Sequence, residues 1–260
     1  MKAIILAAGR GSRLAGYSED RPKSLNTLSG VPIIERQIAT LQNGGVDDIT
    51  IVTGYRADQL ILPGTAQVHN PDWQTTNMVE SLFCAEVIFT DDLLICYADI
   101  VYEPKVLRAI QDSPHDVSVI VDRNWKAYWD WRFADPLSDA ESLRLSANGQ
   151  ITDIGNKAST IDEIEAQYIG LIKISKVGLS ALAQARRGVI ENDRPWKQKR
   201  DVKQAYMTDV LMEMILLGLP VHGVRIDGGW LEFDTTEDYE NAERLAAIGE
   251  LAQFFDLDAI

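Results

Sequence analysis

A cluster of basic residues lies near the amino terminus of a chain that is otherwise strongly acidic. Arg10, Arg13, Arg21 and Lys23 fall within one short segment, whereas the 260 residues together carry a formal net charge of −14. Local positive charge in an acidic chain is what a site for a small anion, such as a phosphate, requires. The net charge also argues against a nucleic-acid partner, because such proteins bind the phosphate backbone mainly through Lys and Arg.

A glycine loop, LAAGRGSRL at positions 6–14, runs into this basic cluster and follows an apolar run that predicts a strand at 2–6. Ligands of open α/β folds bind at the carboxyl ends of such strands. Gly9 and Gly11 allow unusual backbone dihedral angles, so that successive N–H groups can point at phosphate oxygens. The loop is neither a dinucleotide-binding motif, since Leu14 replaces its third glycine, nor a P-loop, since Gly-Lys-Ser/Thr is missing.

The elements that must position this loop alternate between short β-branched runs and amphipathic segments of helical length. The pattern predicts an α/β fold, a Rossmann-like and mostly parallel sheet with helices on both faces, within a single domain over residues 1–260. The predicted strands are 2–6, 48–53, 93–98, 117–121, 166–174 and 221–226, and the predicted helices are 31–43, 76–89, 206–217 and 235–248.

The pattern changes between residues 123 and 165. An aromatic-rich stretch at 124–132 precedes two alternating segments that flank Asn148-Gly149, a dipeptide typical of two-residue hairpin turns. We expect a small β insertion here, at about 123–165. The segment 187–203 is polar and charged, and we expect a mobile loop there.

Cysteine content and hydropathy bear on the location of the protein. Cys84 and Cys96 each lie in an apolar run, so we expect two buried thiols in a reducing compartment rather than a disulfide or a metal pair. No run approaches the ~20 apolar residues of a membrane span. We therefore expect a cytoplasmic protein that has no membrane partner.

The glycine loop, taken together with RPKSL at 21–25, resembles the sugar-phosphate nucleotidyltransferase superfamily. The resemblance implies transfer of a nucleotidyl group from an NTP to a phosphorylated acceptor, with release of pyrophosphate. It implies that the backbone of Ala7 and Ala8 meets the base, that residues 11–13 wrap the triphosphate, and that Lys23 contacts the α-phosphate and the incoming phosphate.

Isolated aspartates at strand ends are the expected ligands of the Mg²⁺ that such transfer requires, because Mg²⁺ takes only one or two carboxylates beside phosphates and waters. Asp99 directly follows the predicted strand at 93–98. The resemblance implies Asp234 as the second ligand, since DTTED at 234–238 matches the superfamily's aspartate before a Thr-x-Glu-Asp helix. Helix capping is the alternative role of both residues. The expected catalytic residues are Lys23, Arg13, Asp99 and Asp234.

Four further segments resemble one branch of the superfamily, the phosphocholine and phosphoglutamine cytidylyltransferases: WQTTNMVESL at 73–82, YADIVY at 97–102, RFADPLSDAE at 132–141 and DEIEAQYIGL at 162–171. The branch implies CTP as donor, a small phosphorylated metabolite as acceptor, and a CDP-linked product for capsule or lipopolysaccharide biosynthesis. The nucleotide-binding residues implied in this way are Leu6, Ala7, Ala8, Gly9, Gly11, Ser12, Arg13, Lys23, Asn77, Ser81 and Asp99.

Several side chains of the insertion and its surroundings suit a small zwitterionic acceptor. Aromatic faces attract an ammonium group by about 0.5–2 kcal/mol each, carboxylates can pair with an amine, and an arginine can pair with a carboxylate. Lys157 resembles the lysine that binds the acceptor's phosphate. The alternative is that most of the aromatic residues only pack the insertion against the sheet. The expected acceptor-binding residues are Asp122, Trp129, Arg132, Lys157, Glu165, Tyr168 and Trp230.

Two other functions stay open at the level of sequence. A sugar-1-phosphate uridylyl- or thymidylyltransferase would share the fold and would prefer UTP or dTTP with hexose phosphates. A catalytically silent, nucleotide-binding regulatory protein would have lost Lys23 or a metal aspartate, and the sequence keeps Lys23, Asp99 and Asp234. The sequence is compatible with a homo-oligomer and does not define the oligomeric state.

Overall fold

The computed structural model describes residues 1–11, 14, 17, 19–197 and 200–259. The strands of this part are β1 (Lys2–Ala7), β2 (Thr27–Leu28), β3 (Val31–Pro32), β4 (Asp48–Thr53), β5 (Thr65–His69), β6 (Leu93–Tyr97), β7 (Ile100–Tyr102), β8 (Val117–Asp122), β9 (Glu141–Leu145), β10 (Ile151–Lys157), β11 (Gln167–Ile174), β12 (His222–Ile226) and β13 (Trp230–Glu232). Its α-helices are α1 (Ile33–Asn43), α2 (Met78–Cys84), α3 (Pro104–Gln111), α4 (Trp125–Arg132), α5 (Lys176–Glu191), α6 (Met207–Leu216) and α7 (Thr236–Ala247).

A central sheet of seven strands has the order β12-β8-β11-β6-β1-β4-β5, and β11 runs antiparallel to both of its neighbours while the other pairs are parallel. Alternate side chains of a strand point to opposite faces. Accordingly, Ile5 and Cys96 pack in a core with α1, α3 and α7, whereas Ile4 and Ile95 pack in a second core with α2, α5 and α6. The predicted mostly parallel sheet with helices on both faces is confirmed.

The helix boundaries follow local capping groups. The side chain of Asn77 accepts a hydrogen bond from the Met78 N–H, so that α2 begins two residues later than predicted and, within the described residues, ends at Cys84 instead of 89. Thr235 is the N-cap of α7 and forms a capping box with Asp238. Cys96 is buried, but Cys84 is exposed, so the expectation of two buried thiols is wrong for Cys84.

The insertion at 123–165 contains more helix than the sequence pattern suggests. The aromatic-rich stretch forms α4, in which Trp125, Tyr128, Trp129 and Arg132 recur at a spacing of three to four residues and lie buried. The predicted hairpin is present, since β9 and β10 pair antiparallel around Gly149, whose φ is +83°. The division into one domain with an acceptor-binding insertion stays a prediction.

The segment 187–203 is helical up to residue 191, and its described residues between 192 and 201 form a loop, as its polar composition predicts, that packs against its neighbours. Helix α5 continues to Glu191, and Trp196 is 1% exposed. Arg194 pairs with Glu213 of α6, and Arg200 pairs with Asp209. The charges that suggest disorder in the sequence therefore find opposite charges on a neighbouring helix. None of the described helices is long and apolar enough to cross a membrane.

Candidate active site

Two clefts meet at the carboxyl ends of β1 and β6. Leu6 pairs with Tyr97, so the glycine loop after β1 and the turn after β6 begin side by side. The loop cleft, about 710 Å³, lies between residues 6–11, residues 22–24 and the start of α2, and the insertion cleft, about 960 Å³, lies between the sheet and residues 129–141. The two clefts share Lys23, Met78, Tyr97 and Asp99.

The loop cleft brings together the predicted nucleotide-binding residues that the structure describes. Although α2 is 67 or more residues from the glycine loop in sequence, its first turns face that loop across the cleft. The predictions for Ser12 and Arg13 concern positions outside the described residues. The predicted residues that line the loop cleft are Leu6, Ala7, Ala8, Gly9, Gly11, Lys23, Asn77, Ser81 and Asp99.

Lys23 bridges the two predicted metal aspartates where the clefts join. Its Nζ atom lies 2.5 Å from Asp99 Oδ2 and 2.8 Å from Asp234 Oδ1. Burial of the ammonium disfavours its charge, but the two carboxylates outweigh this effect and raise the pKa of Lys23 above its ordinary value. The three described residues among the four that the sequence selects for chemistry thus form one cluster, and this cluster strongly favours a positive charge between its carboxylates.

Short backbone contacts position the two aspartates. Asp99 lies in the turn between β6 and β7, and Gln37 of α1 donates to two carbonyl groups of this turn at 2.9 and 3.1 Å. β7 pairs antiparallel with β13, and the Phe233 N–H donates to the Asp99 carbonyl at 2.9 Å. The residue after Phe233 is Asp234, so this pairing places the two carboxylates next to each other.

A network of ion pairs around Asp238 fixes the backbone of Asp234. One carboxylate oxygen of Asp238 accepts from the N–H groups of Asp234 and Thr235, each at 2.9 Å. The guanidinium of Arg132 is fully buried, donates to both oxygens of Asp238 at 2.9 and 3.0 Å, and reaches Glu232 at 2.5 Å. All three of its nitrogens are thus occupied by two carboxylates, and the prediction that Arg132 pairs with a carboxylate of the acceptor is wrong.

Three aromatic rings in and next to α4 surround this same arginine. The guanidinium carbon of Arg132 lies 5.4 Å from the ring centroid of Tyr128, 5.1 Å from that of Trp129 and 4.8 Å from that of Phe133. The cation that these aromatic residues bind is therefore supplied by the protein. Trp129 still lines the insertion cleft, where its Nε1 atom donates to Asp139 at 3.2 Å.

Asp122 and Trp230 bind each other rather than the acceptor. Trp230 is 1% exposed, and its Nε1 atom donates to Asp122 Oδ2 at 2.9 Å. The other oxygen of Asp122 accepts from the N–H groups of Gly228 and Asn124, at 3.0 and 2.8 Å. Neither residue lines the insertion cleft, so the structure corrects both predictions: a buried indole N–H and a buried carboxylate satisfy each other.

Lys157 and Glu165 also lie apart from the insertion cleft. Lys157 borders a separate depression on the β9–β10 hairpin, together with Arg144 and Asp153. Glu165 is exposed, and its carboxylate accepts from the Leu145 N–H at 3.1 Å, which directs it along the hairpin edge. Of the predicted acceptor residues, the structure brings only Trp129 and Tyr168 to the cleft.

Acidic and hydroxyl groups that the sequence did not single out complete the insertion cleft: Asp139, Glu141, Tyr206, Thr208 and Glu232. Burial raises the pKa of the Glu141 carboxyl to about 7, against the opposing effect of Arg200. Among the described residues, the hydroxyl oxygen of Thr208 is buried without a hydrogen-bond partner, and that of Tyr168 lies beside Tyr97 without a hydrogen bond of good geometry. A signal for two of these residues was present, because Asp139 and Glu141 belong to a segment that carries the family likeness.

The fold, a mostly parallel seven-stranded sheet covered by helices, is shared with nucleotidyltransferases. The sequence model of the MobA-like NTP transferase domain matches residues 3–152, which is more than half of the chain, and the chain therefore belongs to this family.

Similarity to individual proteins narrows the class. The chain is 38% identical over 251 residues to the CTP:phosphoglutamine cytidylyltransferase of Campylobacter jejuni, covering 92% of this chain and 98% of that protein. It is 31% identical over 165 residues to the choline-phosphate cytidylyltransferase of Haemophilus influenzae, covering 60% of this chain and 64% of the relative. The structure of the CTP:phosphocholine cytidylyltransferase of Streptococcus pneumoniae superposes with a TM-score of 0.74 at 21% identity, covering 94% and 98% of the two chains, which shows a shared fold. The resemblance predicted from the sequence is confirmed.

Proposed function

We propose that the protein transfers the cytidylyl group of CTP to the phosphate of a small, amine-bearing acceptor, forming a CDP-linked product and pyrophosphate. The observation that carries this proposal is the cluster of Lys23, Asp99 and Asp234 at the junction of the two clefts. A donor in the loop cleft and an acceptor in the insertion cleft meet there, and both similar cytidylyltransferases use CTP according to their names.

In the loop cleft, a glycine brings the backbone of the loop close to Lys23, the residue expected to contact the α-phosphate. Gly11 has a φ of +70°, and a Cβ atom at this position would lie 2.9 Å from the Cβ atom of Lys23. The glycine thus lets the loop pack directly against the lysine. A triphosphate on this loop places its α-phosphate close to the Lys23 ammonium, which can neutralise the charge that develops during transfer.

The donor set at the junction fits a divalent cation such as Mg²⁺. Asp99 Oδ1 is buried and has no hydrogen-bond partner within the described residues, while Asp99 Oδ2 and Asp234 Oδ1 already converge on a positive group. Hard carboxylate oxygens in this number are what Mg²⁺ takes from a protein in addition to phosphates and waters. When bound, the ion would supply charge neutralisation and alignment of the phosphates.

The reaction needs no further catalytic group from the protein. The acceptor's phosphate oxygen is already a nucleophile at neutral pH, so it attacks the α-phosphorus of CTP and pyrophosphate departs, with no covalent enzyme intermediate. Asp99 and Asp234 would hold the metal, Lys23 would stabilise the transferring phosphoryl group, and the walls of the two clefts would set the geometry of attack.

The charge of the insertion cleft indicates the class of acceptor. Among the described residues, Lys23 is the only cationic side chain that lines this cleft. Five carboxylates line it: Asp99, Asp139, Glu141, Glu232 and Asp234. Glu141 makes no ion pair with a described residue, since the nearby Arg200 is paired with Asp209. We therefore propose that Glu141 binds the amino or ammonium group of the acceptor.

A pyrophosphate-release assay across CTP, UTP, dTTP and ATP tests this function. Phosphoglutamine and phosphocholine serve as candidate acceptors, and glucose-1-phosphate, which has no amine, is the matched control. We expect turnover with CTP and an amine-bearing phosphoester, and loss of turnover when EDTA removes divalent ions. Preference for UTP or dTTP with glucose-1-phosphate would replace the cytidylyl assignment with the sugar-nucleotide alternative, and binding of CTP without turnover by any acceptor would favour the silent regulatory alternative.

A further inference from the structure

Asn70, at the end of β5, lies buried behind the loop cleft and contacts two hydroxyl groups on its wall. Its Nδ2 atom donates to Ser81 Oγ at 3.0 Å and to Thr76 Oγ1 at 2.9 Å. The residue is 2% exposed and does not line the cleft itself. It can therefore influence a ligand only through the side chains that it holds.

The orientation of the Asn70 amide is fixed by the backbone. Oδ1 accepts from the Asp72 N–H at 2.9 Å, and because an N–H can only donate, the opposite end of the amide must be the NH₂ group. Both hydroxyls are consequently acceptors in their contacts with Asn70. The direction of these hydrogen bonds is set by the chain and does not depend on a ligand.

The two hydroxyl groups differ in whether their proton is already donated within the protein. Thr76 Oγ1 also donates to the Asp72 carbonyl at 2.9 Å, so its single proton is used within the turn. The Ser81 hydroxyl is 5% exposed, lines the loop cleft, and has no acceptor for its proton within the described part of the chain. Ser81 is thus prepared to donate one hydrogen bond into the cleft.

The position of Ser81 points this donor at the base. The α-phosphate must lie at the junction that both clefts share, and Ser81, Asn77 and Trp73 line only the loop cleft. A nucleotide with its α-phosphate at the junction has its base among the residues that line only the loop cleft, and Ser81 is one of these residues. Cytosine carries a lone pair at ring nitrogen N3, whereas uracil carries an N–H group there.

We propose that Asn70 fixes the Ser81 hydroxyl as a donor to N3 of the base and thereby makes the loop cleft select cytosine over uracil. The inference rests on the proposed function of the loop cleft as the nucleotide site. Against uracil, two donors would face each other in a buried site, and an unsatisfied buried donor reduces affinity by roughly 10- to 100-fold. Asn70 is thus a positioning residue for base specificity.

Asn70→Asp tests the inference because it keeps the shape of the side chain and reverses its hydrogen bonding. At pH 8 the carboxylate can only accept, so the Ser81 hydroxyl would donate to it and present a lone pair to the base. We expect the ratio of kcat/KM for CTP to that for UTP to fall by about 10- to 100-fold relative to wild type. The ratio cancels any general effect of an added negative charge on nucleotide binding.

Two further variants separate this mechanism from a nonspecific effect. Thr75→Asp adds the same charge in the same turn, on an exposed residue that does not contact Ser81, and should leave the ratio unchanged. In a Ser81→Ala background, Asn70→Asp should no longer change the ratio, because the group through which it acts is gone. An unchanged ratio in the folded Asn70→Asp variant, or an equal change with and without Ser81, overturns the inference. A wild-type enzyme that does not use CTP would instead overturn the proposed function.

Discussion

The two clefts that meet at Lys23 are built in different ways. The loop cleft takes its walls from contiguous segments, residues 6–11, 22–24 and 73–81, and offers backbone groups, hydroxyls and amides. The insertion cleft takes its walls from single residues of many elements and is crowded with carboxylates. A nucleotide is common to a whole class of enzymes and an acceptor is particular to one branch, so the contiguous cleft fits the constant substrate and the dispersed cleft fits the variable one.

The two clefts also differ in how easily a substitution can alter them. A substitution can change the shape of the loop cleft only a little unless the backbone moves, because the backbone of the glycine loop forms part of its wall. The insertion cleft is held by ion pairs between distant residues, such as Arg132 with Asp238, 106 residues apart. Changing a single side chain there can alter both charge and shape, and substrate preference should therefore be easier to change on the acceptor side.

The largest effect is expected where the clefts share a residue. Asp99→Asn should reduce kcat/KM for both substrates by roughly 10³-fold, because it removes charge from the junction, while Lys23 keeps its ion pair with Asp234 and the fold persists. The pyrophosphate-release assay and thermal unfolding measure the two effects. Asp227→Asn, which breaks a surface pair with Arg123, is the matched control and should change neither. Near-normal turnover in Asp99→Asn would remove this residue from the chemistry.

Arg132→Met should destabilise the acceptor side most. Without the guanidinium, the buried carboxylates of Asp238 and Glu232 lose their partner, and breaking a buried pair on one side costs about 3 kcal/mol. We expect this loss in urea unfolding, a lower kcat because the backbone of Asp234 is less firmly held, and a smaller change in the KM for CTP. The exposed Arg123→Met should cost less than about 0.5 kcal/mol. Equal stability of the two variants would contradict the role of the buried network.

Gly11→Ala probes the loop cleft in the same way. At φ +70° a side chain costs about 1–2 kcal/mol, and its Cβ atom would meet the Lys23 side chain at 2.9 Å. The variant should lose this stability and bind CTP more weakly. Gly9 has open space where a Cβ atom would lie and no positive φ, so the free energy of unfolding of Gly9→Ala should stay within about 0.5 kcal/mol of wild type. Similar losses in both glycine variants would count against this packing.

Glu141→Gln should have the smallest effect and the most selective one. Because the pKa of Glu141 is raised from 4.5 to about 7, its carboxylate becomes ionised as the pH rises from 6 to 8, and the KM for an amine-bearing acceptor should fall over this range. The same shift means that the folded state binds the proton more tightly than the unfolded state, so this residue lowers stability as the pH rises from about 4.5 to about 7.

Steady-state kinetics at pH 6, 7 and 8 provide the measurement. In Glu141→Gln the acceptor KM should be higher by about fivefold at pH 8, equivalent to roughly 1 kcal/mol, and the part of its pH dependence that comes from Glu141 should vanish. The KM for CTP is the internal control. A wild-type pH profile in the variant would show that another group binds the amine.

The sequence alone determined the fold class and most of the loop cleft, because these depend on short-range patterns. Alternating apolar runs specify strands and helices, and the carboxyl ends of parallel neighbours coincide, so residues after β1 and β6 had to meet. Asp99 could be selected for its place after a strand and Lys23 for its motif. Asp234 came from the family likeness, and the β7–β13 pairing supplies the physical reason for its position.

The tertiary structure decided which side chains line the insertion cleft. Asp122, Trp230 and Arg132 have the right chemistry for a zwitterion, yet each is satisfied by a partner more than 100 residues away in sequence. Such pairings leave no periodic signal, since they depend on how elements pack and on which buried charges must neutralise each other. The sequence shows which chemical groups are present. Whether such a group is used inside the protein or is left for a substrate depends on tertiary packing.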